Sequence, residues 1–107
     1  MIVVVFEVTV KPEVGQRYFD LAGELRPELE KIDGFLSIER FESLATPGKY
    51  VSLSFWRDED AVARWRAHAG HQTAQALGKK EIFADFRISV AEVVRQYTLA
   101  DRLAAGA

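Results

Sequence analysis

The chain has 107 residues, enough for one domain with a buried core and too few for two. Hydrophobic residues make up 49% and charged residues 28%, the balance of a folded globular protein rather than a disordered one. A formal charge of −2 leaves no electrostatic footprint for nucleic acid or an anionic membrane surface, and the absence of cysteine removes disulfides, thiol nucleophiles and cysteine-ligated metal sites.

The run "IVVVFEVTV" at 2–10 is β-branched and aromatic, and predicts a strand. Val4, Phe6, Val8 and Val10 fall on one face and Val3, Val5, Glu7 and Thr9 on the other, so both faces carry apolar side chains. The segment has no basic leader, meets Glu7 early and is too short to span a membrane, so it reads as a strand rather than a signal. "KPEVG" then turns the chain into a helix, with Pro12 and Glu13 suited to its first turn. Val14, Tyr18, Leu21, Ala22, Leu25, Leu29 and Ile32 recur at helical spacing, and Pro27 within them predicts a kink or a restart. "DG" at 33–34 ends the segment.

"FLSIERFES" (35–43) and "YVSLSFW" (50–56) predict two strands joined by the turn "ATPGK". Asp58 is a natural N-cap, followed by Glu59 and Asp60 in the first turn of a second helix. Ala61, Val62, Trp65 and Ala69 form its inner stripe, and Gly70 predicts a break before "HQTAQALGKK" continues. "FADFRISVAEVVRQY" (83–97) predicts a long strand with a bulge near Ala91, where its alternation shifts. "TLADRLAAGA" is a tail with about one helical turn.

The order β-α-β-β-α-β predicts a ferredoxin-like α+β domain over residues 1–98, an antiparallel sheet with helices on one face, and a short tail at 99–107. The opposite face keeps Val3 and Val5 uncovered, which predicts a homodimer whose two sheets close face to face. The cysteine-free composition fits a cytoplasmic location.

Both histidines, His68 and His71, follow Trp65 closely in "DAVARWRAHAGHQTAQ". Imidazoles three residues apart can share a helix face and zinc accepts them, yet no acidic residue, Asp85 included, stands at a recognised spacing for a third ligand. No metal is expected; at least one imidazole is expected to be exposed or to cap near a helix break, and a single histidine is a candidate pocket base, haem ligand or substrate hydrogen-bond partner. No glycine-rich phosphate loop supports a flavin or nucleotide, and no Ser-His-Asp arrangement is evident.

The stretches "GFLSIERFES", "YVSLSFWRDEDAVARWRAHAGHQTAQ" and "FRISVAEVVRQY" resemble the antibiotic biosynthesis monooxygenase domain family of dimeric α+β barrel proteins, over roughly residues 2–97. In the polyketide-type oxygenases of that family a tryptophan ends the third strand, with an asparagine four residues earlier and a tyrosine six later. Trp56 matches the tryptophan, while Ser52 and Val62 stand at the other two positions. In the haem-degrading members a tryptophan in the second helix precedes the axial histidine by ten residues. Trp65 matches, but Gln75 stands at the histidine position, and Phe6 or Glu7 where the first strand carries an asparagine.

The resemblance implies a small cofactor-independent monooxygenase acting on an aromatic or polyketide-like substrate in an apolar pocket. Its catalytic candidates are His68 or His71 as base, Ser52 as hydrogen-bond donor and Trp56 as a wall. Trp65, Tyr18, Phe83 and Phe86 are the candidate substrate-binding residues, with Phe19 a further candidate liner. The alternatives are a haem-binding or haem-degrading monooxygenase, with His71 or His68 as ligand, and a non-catalytic dimeric module for a small apolar ligand.

Overall fold

The computed structural model describes residues 1–105, apart from the side chains of Ala69 and Lys80. Ala69 of the expected inner stripe therefore has its side chain outside the described residues, as do Gly106 and Ala107 of the tail. Four strands, β1 (Ile2–Val10), β2 (Phe35–Glu42), β3 (Lys49–Trp56) and β4 (Phe83–Glu92), form one sheet in the order β2-β3-β1-β4. All three pairings are antiparallel, giving the ferredoxin-like α+β arrangement.

Helix α1 (Gly15–Glu30) follows β1 through a short 3₁₀ turn at Pro12–Val14. It buries Tyr18, Ala22 and Leu29 from the expected stripe and runs through Pro27 without ending. The next turn needs a glycine. Gly34 has φ of 94°, and a Cβ there would lie 2.6 Å from Cβ of the fully buried Ala61.

Helix α2 (Glu59–Ala67) starts where Asp58 accepts a 2.9 Å hydrogen bond from the Ala61 amide. Its break from α3 (Ala69–Leu77) falls at His68 rather than at Gly70. His68 is extended (φ −66°, ψ 133°), and its Nδ1 accepts a 3.1 Å hydrogen bond from the Gly70 amide. It ends one helix and caps the next. Gly70 lies inside α3, where a Cβ would meet the carboxylate of Glu28 on α1 and require that side chain to move aside.

A turn of π-helix at Gly78–Ile82 leads into β4. The expected bulge near Ala91 lies instead at the other end of the strand: Thr9 pairs with Asp85 and Val10 with Phe83, leaving Ala84 as the extra residue. The strand also stops at Glu92 rather than at residue 97. Glu92 pairs with Ile2 at the start of β1, so the ladder has no partner backbone left beyond one last bond from Val93 N to Met1 O. The chain then continues to α4 (Leu99–Ala104), which opens with a capping box between Thr98 and Asp101.

The core forms two clusters. One joins Ile2, Leu29, Trp56, Ala61 and Trp65; the other joins Val8, Val10, Tyr18 and Ile82. Each large side chain buried in this way contributes about 1.5–3 kcal/mol.

Candidate functional site: a cavity between sheet and helices

A cavity of about 400 Å³ lies between the sheet and α1, α2 and α3, and draws its lining from both core clusters. Strand register builds its floor. Arg40, Ser52, Phe6 and Ile88 form one row across β2, β3, β1 and β4. Ile38, Ser54, Val4 and Val90 form the next. All eight line the cavity. The polar groups of the floor therefore gather on β2 and β3, and the β1 and β4 side is hydrocarbon.

Trp56 closes one end of the floor, 2% exposed, with its indole N–H donating 2.9 Å to the buried Ser54 hydroxyl. Phe35 meets its ring edge-on at 5.2 Å. The roof comes from helix positions facing the sheet: Tyr18 and Leu25 on α1, Val62 and Trp65 on α2, His71 and Gln75 on α3. Tyr18 is 4% exposed, yet its hydroxyl makes no hydrogen bond of good geometry. Burial raises its pKa, against the opposing pull of the Arg40 guanidinium, so the phenol keeps its proton at neutral pH.

The helix break gives the two histidines different environments. His71 lines the cavity, half-buried, with its ring 4.8 Å from that of Trp65 at 61°. Burial pushes its pKa down to about 4, helped by His68 and then Arg66, so the imidazole is neutral at physiological pH. His68 stacks on the Trp65 ring at 5.3 Å, spends Nδ1 on the α3 cap, and is not among the lining residues.

Of the residues expected at a site, Tyr18, Ser52, Trp56, Trp65, His71 and Phe83 come together around this cavity. Phe86 does not line it. Its position opposite Val8 is one row further along, where it packs on Phe6 and Phe83 at 6.0 and 6.2 Å with the Lys79 ammonium 5.8 Å from its ring. Phe19 is 42% exposed and packs edge-on against Tyr18 and Tyr50, also outside the lining. Arg40 and Ser54 line the cavity without having been singled out from the sequence. The available signal was their alternation with Ile38, Ser52 and Trp56 on the same strand faces.

Among the described residues, no three or more His, Asp and Glu side chains gather so as to hold a metal ion. None of the described helices is long and apolar enough to cross a membrane.

A split β-α-β domain with an apolar cavity roofed by its helices defines a class of small ferredoxin-like α+β proteins. This chain belongs to the antibiotic biosynthesis monooxygenase family, whose model matches residues 1–77. It is 43% identical over 93 residues to the jasmonate monooxygenase ABM of Pyricularia oryzae, covering 87% of this chain and 43% of that protein. It is 30% identical over 88 residues to the uncharacterized protein YqjZ of Bacillus subtilis, covering 82% of this chain and 75% of the relative. The chain thus spans less than half the length of the first relative. Among solved structures, Rv0793 of Mycobacterium tuberculosis shares the fold with a TM-score of 0.81 at 15% identity, over 91% of this chain and 98% of that one.

Proposed function

We propose that this chain is a cofactor-independent monooxygenase that oxidises a small, largely apolar, electron-rich molecule in the cavity. The observation that carries the reading is the cavity itself: hydrocarbon on most sides, with Ser52 and the neutral His71 reaching it from floor and roof. A site of this kind excludes water from a reactive carbanion while leaving a few polar groups to orient it. The family and the jasmonate monooxygenase relative support oxygenation as the reaction.

In this scheme a CH₂ group acidified by a neighbouring carbonyl or phenol loses a proton toward His71. The carbanion passes an electron to dioxygen, and recombination of the two radicals gives a peroxide that loses water to leave a carbonyl. One CH₂ and one O₂ become one C=O and one H₂O, the four electrons coming from the two C–H bonds. A neutral imidazole accepts protons across the physiological range, but a pKa of about 4 makes it a weak base. The substrate's own conjugation must therefore supply most of the acidity. Ser52 donates to the developing oxyanion, and Trp56 and Trp65 wall the site. Val62 lines the cavity at the position of the family's tyrosine and relays no proton.

Haem fits this residue set poorly. Gln75 lines the cavity where an axial histidine would stand, and an amide is not among the usual axial ligands of haem iron. The oxygenase reading is tested by incubating the protein with hydroxylated aromatics, conjugated ketones and jasmonate under isotopically labelled dioxygen. Label in the product supports it. Binding without label would make the chain a ligand-binding module, and a Soret shift with haemin, lost in His71→Ala, would favour the haem reading.

The same reading includes a homodimer. Val3, Val5, Val51, Leu53 and Phe55 lie on the sheet face away from the cavity, only partly buried. An apolar sheet face of this kind is an interface in waiting.

A further inference from the structure

We propose that Arg40 and Tyr18 form a carboxylate-binding subsite at the β2 end of the cavity, so that the substrate is an apolar molecule carrying one carboxylate. The inference rests on the oxygenase reading of the cavity only for what happens to the ligand afterwards; the binding claim stands on these two residues.

Their polar atoms are unusual in the same way. The Tyr18 hydroxyl and the Arg40 Nε are both buried, and neither makes a hydrogen bond of good geometry in the protein, although the Arg40 guanidinium lies near enough to the hydroxyl to pull its pKa down. Arg40 forms no ion pair among the described residues. Buried polar atoms are almost always satisfied, because desolvation without a partner is costly, and Arg40 is itself only partly exposed. Two such groups facing one cavity, on the sheet and on α1, make a single donor set for an anionic acceptor.

The chemistry of the pair selects the ligand. A guanidinium presents several N–H donors in a planar fork that matches a carboxylate, and a protonated phenol adds an O–H donor to the same oxygen set. The raised pKa of Tyr18 keeps that proton in place. Ser52 is the direct cross-strand neighbour of Arg40 and extends the donor row by one hydroxyl. Beyond it the row becomes Phe6 and Ile88, with Val4 and Val90 beside them. A ligand anchored at Arg40 therefore lays its hydrocarbon body across β1 toward β4. Arg66 also lines the cavity, but its side chain is exposed and solvent competes for any anion it meets.

Calorimetric titration with naphthylacetate and its neutral isostere naphthylacetamide tests the subsite without requiring turnover. The wild-type protein is expected to bind the acid at least tenfold more tightly than the amide. Arg40→Gln should bring the two within about twofold, Arg40→Lys should restore part of the preference, and Tyr18→Phe should weaken the acid several-fold while leaving the amide nearly unchanged. Thermal melts of each variant establish that it is folded, and the wild-type comparison stands even if one is not. Equal binding of acid and amide, or no binding of either at millimolar concentration, would overturn the proposal. So would a preference that survives Arg40→Gln but disappears in Arg66→Gln, which would place the anion at the mouth. Acid-selective binding without any oxygen consumption would leave the subsite standing and remove the oxygenase reading instead.

Discussion

The indole N–H of Trp56 donates to the hydroxyl of Ser54, two residues back on the same strand face, at 2.9 Å in the buried floor of the cavity. This bond lets a tryptophan with a polar tip close an apolar wall. Ser54→Ala removes the acceptor and leaves the N–H buried and unpaired, a loss of about 1–3 kcal/mol. For a domain of this size that lowers the melting temperature by roughly 4–8 °C per kcal/mol, readable by calorimetry. An unchanged melt would mean that the indole has another acceptor.

Acid pH should act through His71. Its folded pKa of about 4 lies below the unfolded value of 6.5, so the unfolded chain takes up this proton first. The stability its neutral form secures is present above about pH 6.5 and is lost as pH falls toward 4. Full burial would make the effect about 3 kcal/mol; for a half-exposed ring, roughly 1–2 kcal/mol is expected. Denaturant titrations of wild type and His71→Gln across that window should differ in slope, the variant being flatter. Carboxylates held low by Arg57 and Arg87, such as Asp33 and Glu7, titrate in both proteins and cancel in the comparison.

Two glycines should respond in opposite directions to alanine. At Gly34 the positive φ and the Ala61 Cβ together forbid a side chain, so Gly34→Ala should destabilise by roughly 1–3 kcal/mol. Gly23 lies inside α1 with nothing within 4 Å of an added methyl, so Gly23→Ala should stabilise by roughly 0.5–1 kcal/mol. Chemical denaturation of both variants checks the pair.

The proposed dimer is open to a simple test. Leu53→Lys places a charge among Val5, Val51 and Phe55 on the uncovered face, opposite Glu39 on β2. Light scattering should show a dimer for the wild type and a monomer for the variant. A monomeric wild type would contradict the expected sheet-to-sheet closure.

Much of the fold was legible because its signals are local. β-Branched and aromatic composition marked β1, period-two alternation marked β3, and Asp58 marked the start of α2 by the same side-chain chemistry that caps it. The misplaced features depend on a partner: β4 ends where β1 runs out, and its bulge sits opposite Thr9 and Val10, which no reading of β4 alone can show. The site was legible to the same degree. Trp56, Ser52 and Tyr18 were reachable from spacing and resemblance, but Arg40 became visible only through the register that sets it beside Ser52. His68 and His71, three residues apart, looked interchangeable until the backbone break at His68 sent one to a cap and the other to the cavity.

The most direct test of the central claim is oxygen uptake by protein treated with chelator and shown by absorbance to be free of haem and flavin, alongside Ala22→Phe, which fills the cavity from α1. The wild type should consume about one dioxygen per product formed, with no gain on adding haemin, flavin or divalent metal, and the filled variant should lose that uptake while keeping its fold. Uptake that depends on an added cofactor, or that persists undiminished in Ala22→Phe, would contradict cofactor-free oxygenation in this cavity.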